Sequence, residues 1–185
     1  MKIKLTHIAT TLGLALALMQ PGAIAWAHGN DHSHGSDHGH AHGAAAQGPD
    51  YATLASRPIA GQVTADGCWI RQMPKPTPSG GFLVIHNQGS EPVRVQSAAS
   101  PDYEEIMLHQ TTHEGGVSKM AMIDELAIPA GQQVELKPGS YHLMLEGPRE
   151  GLALGDEAQV LLALSNGTTV LARCAVMSPK TARKP

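Results

Sequence analysis

From about residue 60 to residue 178 the sequence never sustains a long apolar or amphipathic run. Short β-branched stretches are broken roughly every ten residues by Gly, Pro, Asn or Asp. Such punctuation leaves no room for helices of ordinary length. The period-two pattern predicts strands near 61–70, 81–87, 92–98, 104–110, 117–122, 132–137, 141–146, 157–164 and 168–177. Between them lie turn sequences such as "PTPSGG", "NQGSEP", "THEGG", "KPGS" and "SNGT". Phe82 is the single phenylalanine, so a core has to be assembled from Val, Leu, Ile, Ala and Met. Many short strands and no long helix predict an all-β antiparallel sandwich or barrel.

The chain opens "MKIKLTHIATTLGLALALMQPGAIAWAHG", with Lys2 and Lys4 ahead of an apolar stretch and Ala25-Trp26-Ala27 behind it. Residues 1–27 read as a secretory signal peptide cleaved after Ala27. The apolar stretch falls short of the roughly 20 residues that span a bilayer. No membrane span is therefore expected after cleavage, and no cysteine follows the cleavage site to carry a lipid. Export is expected to carry the mature chain into an oxidising compartment. Removing the two signal lysines leaves 11 basic against 16 acidic residues over 158 positions, a net charge of −5. One domain accounts for that length. A mildly acidic chain without a basic block lacks the electrostatic footprint of a nucleic-acid binder, and that class is excluded. In an oxidising compartment, Cys68 and Cys174 are expected to form a disulfide closing a loop of about 100 residues. Metal ligation by a thiolate is the alternative.

Residues 28–59 form a segment of a different texture. His28, His32, His34, His38, His40 and His42 sit among Gly, Asp and Ser, with nothing to bury. This stretch is expected to be disordered and, by composition, to bind metal such as Cu(II) or Zn. The α-amino group freed at His28 would add a second nitrogen beside its imidazole. The β domain then covers 60–178, and residues 179–185 are a short basic tail.

The chemistry concentrates in the second half of that domain. Side chains two apart on a strand share a face, about 6.6 Å apart. Three such pairs occur: Met107 and His109 in "IMLHQ", Met120 and Met122 in "KMAM", and His142 and Met144 in "YHLML". If the three strands meet at one end of the fold, imidazole and thioether donors converge. These are the donors of Cu(I), whereas Ca²⁺, Mg²⁺ and Mn²⁺ take oxygen and methionine is not a usual zinc ligand. Met107 and Met122 read as packing beside the site, and His113 as a solvated residue of the "THEGG" turn. A blue-copper centre needs a Cys thiolate with two histidines, and no histidine lies near Cys174. No GxSxG, HExxH or phosphate-loop motif is present, so no enzymatic activity is expected.

His109, ten residues, Met120, twenty-one residues and His142-Leu143-Met144 together resemble the H-x10-M-x21-H-x-M signature of the PCuAC-type periplasmic copper chaperones. The flanking "ELAIPAGQQVELKPGSYHLML" and the earlier "CWIR" are similar to that family's segments, and the likeness spans about residues 60–178. The resemblance implies a cupredoxin-like β-sandwich with His109, Met120, His142 and Met144 as ligands of Cu(I). It also implies delivery to the copper-bearing subunit of cytochrome c oxidase, with a thioredoxin-like copper assembly protein as a further partner. Unlike many members, this chain carries its histidine run at the N-terminal side. Two other readings stand beside the chaperone: a periplasmic metal buffer acting through the tail, and a purely structural or adhesive sandwich.

Overall fold

The computed structural model describes residues 50–181. The expected signal peptide and the histidines from His28 to His42 lie outside the described residues. Ten strands follow one short helix. Helix α1 (Tyr51–Ala55) is started by Asp50, whose carboxylate accepts the Thr53 N–H at 2.7 Å. It lies within the stretch read as linker. Leu54 explains the difference: it is fully buried against Ala99, Leu161 and Ala163, so the turn is held by packing that a composition argument does not see.

The strands are β1 (Val63–Arg71), β2 (Ser79–Asn87), β3 (Val93–Ala99), β4 (Tyr103–Glu114), β5 (Val117–Met122), β6 (Leu126–Ile128), β7 (Gln133–Leu136), β8 (Tyr141–Pro148), β9 (Glu157–Leu164) and β10 (Thr169–Met177). They pair in the order β5-β4-β8-β2-β1-β10-β9-β3-β6, with β7 also on β2. Pairings are antiparallel except between β1 and β10, the first and last strands. A parallel pair needs a long connection, and here the rest of the domain supplies it. Cys68 and Cys174 join in a disulfide beside the Trp69–Ala175 register pair, with their Cα atoms 4.4 Å apart. Both lie within the main core.

That core collects Ile70, Leu83, Ile85, Leu108, Leu143, Leu145, Val160 and Leu162 among others. Alternation then fixes the opposite face. With Leu143 and Leu145 of β8 and Leu108 of β4 turned inward, His142, Met144, Met107 and His109 must turn outward. A one-residue slip would bury them and expose the leucines. Strand β1 carries a register shift between Asp66 and Trp69, after which Trp69 lies opposite Phe82 and packs on it at 4.5 Å between ring centroids.

The β4–β5 connection is tighter than expected. Glu114 pairs with Val117, which leaves Gly115 and Gly116 as a two-residue hairpin turn with φ of 58° and 78°. Both angles are left-handed, the conformation a type I′ turn requires and glycine supplies. His113 is consequently a strand residue rather than a loop one.

Candidate metal centre

Cross-strand register assembles the face. His109 of β4 lies opposite His142 of β8 on one side and opposite Met122 of β5 on the other. Met107 faces Met144, and Thr111 faces Met120. On β2, Gly80 is opposite Met144, so Phe82 falls on the same side of the sheet. Two imidazoles and four thioethers therefore share one outer surface. The three donor pairs read from the sequence meet.

The ring of His142 is fixed by its own turn. Lys137 to Ser140 form the "KPGS" bend, and the Ser140 carbonyl accepts from His142 Nδ1 at 3.0 Å. A carbonyl cannot donate, so Nδ1 holds the proton of the neutral ring and Nε2 presents a lone pair. Met120 Sδ sits 3.2 Å from that nitrogen. It reaches there from β5 across the intervening β4. In the neutral form no hydrogen lies between the two atoms, and two lone pairs face one another. Phe82 lies beside the imidazole, tilted, with 6.4 Å between ring centroids, and the Arg71 guanidinium sits over the Phe82 ring, 5.4 Å from its centroid.

His109 is the second anomaly. It is only 8 % exposed, yet neither ring nitrogen has a hydrogen-bond partner. Leaving a buried polar group unpaired costs about 1–3 kcal/mol, so such a group calls for an explanation in function. The His142 ring is 5.7 Å away. Burial lowers the His109 pKa below its ordinary value, and the neighbouring His142 lowers it further. Both effects keep the ring neutral with a free lone pair.

A test on stability follows. His109→Leu removes both orphaned nitrogens at similar volume. The metal-free variant is expected to gain about 1–3 kcal/mol in urea unfolding. The pH profile has a definite sign. The unfolded chain takes up a proton at His109 near the ordinary value of about 6.5, whereas the folded chain resists until lower pH. Wild-type stability therefore falls as pH drops through that window, and the leucine variant should lose less. A leucine variant no more stable than wild type at neutral pH would contradict this.

The other two described histidines are satisfied. His113 Nε2 donates to the Gly139 carbonyl at 3.0 Å, and its Nδ1 accepts from Ser118 Oγ at 2.8 Å, tying the hairpin to the "KPGS" bend. His86 pairs with Asp66 at 2.9 Å. Neither points to a ligand role.

The donor face opens on a hollow of about 460 Å³ lined by Phe82, Thr111, Met120, Pro138, His142 and Met144. A second hollow of about 470 Å³ is bordered by Asp50, Glu104, Glu105 and Glu146. Its oxygens do not form a site: among the described residues no three His, Cys, Asp or Glu side chains converge to hold a metal. The convergence is of soft donors, and methionine makes up most of it. Sequence reading had picked out the donors but passed over Phe82 and the Ser140 carbonyl, which orient them. Only the aromatic scarcity of the chain hinted at Phe82.

Residues 63–176 match the family model described as "Putative lipoprotein LpqE-like". The chain belongs to the LpqE-like family. Among relatives, it is 31% identical over 91 residues to the uncharacterized protein RP573 of Rickettsia prowazekii, which is 49% of this chain and 50% of that protein. The LpqE-like chain thus spans about half the length of the curated relatives it matches. Its fold is that of the PCuAC domains. The apo PCuAC domain of PmoF2 superimposes with a TM-score of 0.56 at 20% identity, covering 69% of this chain and 99% of that one. The Cu(I) form of DR1885 from Deinococcus radiodurans gives a TM-score of 0.52 at 26% identity, over 70% and 85% of the two chains. The cupredoxin-like β fold implied by the PCuAC resemblance is the fold observed.

Proposed function

We propose that this LpqE-like protein is an exported copper chaperone that holds one Cu(I) through His109, Met120, His142 and Met144 and hands it to an acceptor. The carrying observation is the pair of unpartnered nitrogens on buried His109, set beside a His142 lone pair that meets the Met120 sulfur at 3.2 Å. A monovalent soft cation would take the lone-pair nitrogen of His109 and sit between the His142 lone pair and the Met120 sulfur, because imidazole and thioether suit Cu(I) and poorly suit hard ions. The solved Cu(I) form of DR1885 supports the choice of metal. Thioethers add no charge and need no deprotonation, so they hold the ion without the grip of thiolates. Exchangeable binding suits delivery. The cytochrome c oxidase copper subunit, with a thioredoxin-like assembly protein, is the acceptor this reading favours. The signal-type leader and the family's description as a lipoprotein support the exported placement. Among the described residues no helix is long and apolar enough to cross a membrane.

The histidines from His28 to His42 then serve as a separate store for Cu(II) or another divalent ion. A chain lacking residues 28–47 is expected to bind one Cu(I) as the full chain does, measured by anaerobic titration. If deletion abolishes specific binding, the tail-based metal buffer is the correct reading instead.

A further inference from the structure

Strand β5 is the outermost strand of the sheet on the donor side, and all six of its residues are exposed. Met120 and Met122 are each 56 % exposed there. Core filling does not explain them. A methionine that buries little apolar surface gains little from the hydrophobic effect, and exposed edge strands ordinarily carry charged residues such as lysine. Met107 and Met144 differ: they are half-buried and face one another across β4 and β8.

The register separates the two exposed thioethers further. Met120 Sδ already stands 3.2 Å from the His142 Nε2 lone pair, placed to share an ion with it. Met122 lies instead in the row of His109, directly opposite the ring whose two nitrogens are unpartnered. The four-donor set proposed above leaves Met122 spare. It stands at the rim of the same face, on the strand that also presents Met120.

We propose that Met122 is a transfer ligand, the thioether onto which bound Cu(I) moves on its way out. This rests on the Cu(I) reading of the site. In the step, the bond from copper to the half-buried Met144 sulfur breaks as a bond to the Met122 sulfur forms. Copper stays monovalent and no proton moves, because both thioethers are neutral. The ion, still bound by His109 and His142, then has both of its sulfur ligands, Met120 and Met122, on the exposed edge strand, where an acceptor presenting soft thiolate or imidazole donors can displace the remaining ligands one by one. Holding and releasing are thereby divided between inner and outer sulfurs.

The test uses the full chain loaded with one Cu(I), and follows anaerobic release to a water-soluble bidentate Cu(I) chelator by stopped flow. Met122→Leu should keep one Cu(I) with little change in affinity and slow release roughly tenfold. Met107→Leu, on the buried side, should leave the rate unchanged. In the loaded wild type the Met122 ε-methyl resonance should be broadened by exchange, while that of Met107 is not. Release from Met122→Leu at the wild-type rate would overturn the proposal. So would loss of one-equivalent binding in that variant, since Met122 would then be a resident ligand. A wild type that binds no Cu(I) would instead remove the metal-site reading itself.

Discussion

His142→Ala is expected to weaken Cu(I) binding by at least about 100-fold. Changes to groups that merely orient a metal ligand cost about 10–100-fold, and removal of the ligand itself should cost no less. His142 is the most completely prepared donor of the face. Its Nδ1–H is committed to the Ser140 carbonyl, its Nε2 is left as a lone pair, and Phe82 lies against the ring. Truncation also removes the nitrogen that stands 3.2 Å from the Met120 sulfur and would share the ion with it. Met120→Ala should cost less, about tenfold, because a thioether is the weaker donor and Met122 stands two residues away on the same face. The measurement is an anaerobic competition titration against a chelator of known Cu(I) affinity. Unchanged affinity in both variants would refute the ligand assignment.

Replacing Cys68 and Cys174 together by alanine is expected to lower the stability of the metal-free protein by about 4–5 kcal/mol. The bridge spans 106 positions, and a cross-link closing a loop of about 100 residues removes roughly 4.7 kcal/mol worth of denatured-state entropy. Its location gives that constraint a second consequence. It joins β1 to β10, the one parallel pair, whose partners are the first and last strands of the domain. Without it, the sheet depends on three register pairs, Trp69 to Arg71 against Ala175 to Met177, to hold its two halves together. Urea unfolding followed by circular dichroism would read the loss as a midpoint lowered by about 2 M for a domain of this size. Both sulfurs lie in the core and not on the donor face, so variant protein that does fold should still bind one Cu(I). A loss under about 1 kcal/mol would contradict this account of how the two halves of the sheet are joined.

Most of the scaffold was legible because strands announce themselves by alternation and turn residues. Every stretch read as a strand is one, although β4 runs on to Glu114 through the polar "TTHE", whose lack of apolar residues hid it. Leu126–Ile128 escaped notice because three residues are too few to display a period. Helix α1 was missed for a related reason: one buried leucine, Leu54, is no pattern. The donor residues were visible as pairs at period two, and their convergence was not. Convergence depends on register between strands, and only one of the two registers here is local. The Gly115–Gly116 hairpin places Met122 opposite His109, whereas His142 comes opposite the same residue through the pairing of β4 with β8, strands that are not joined by a turn. A sequence states which face a side chain shares with its neighbour two residues on. It does not state which strand lies alongside. The burial of His109 is a further step removed, since on the outer face of a sheet alternation alone predicts exposure.

The most direct measurement is X-ray absorption at the copper edge on a chain lacking residues 28–47 and loaded with one equivalent of Cu(I). Two nitrogen and two sulfur scatterers, together with the edge feature of monovalent copper, are the predicted result. A shell of nitrogen or oxygen alone would mean that the methionines of β5 and β8 do not hold the ion, and the chaperone reading built on them would fall.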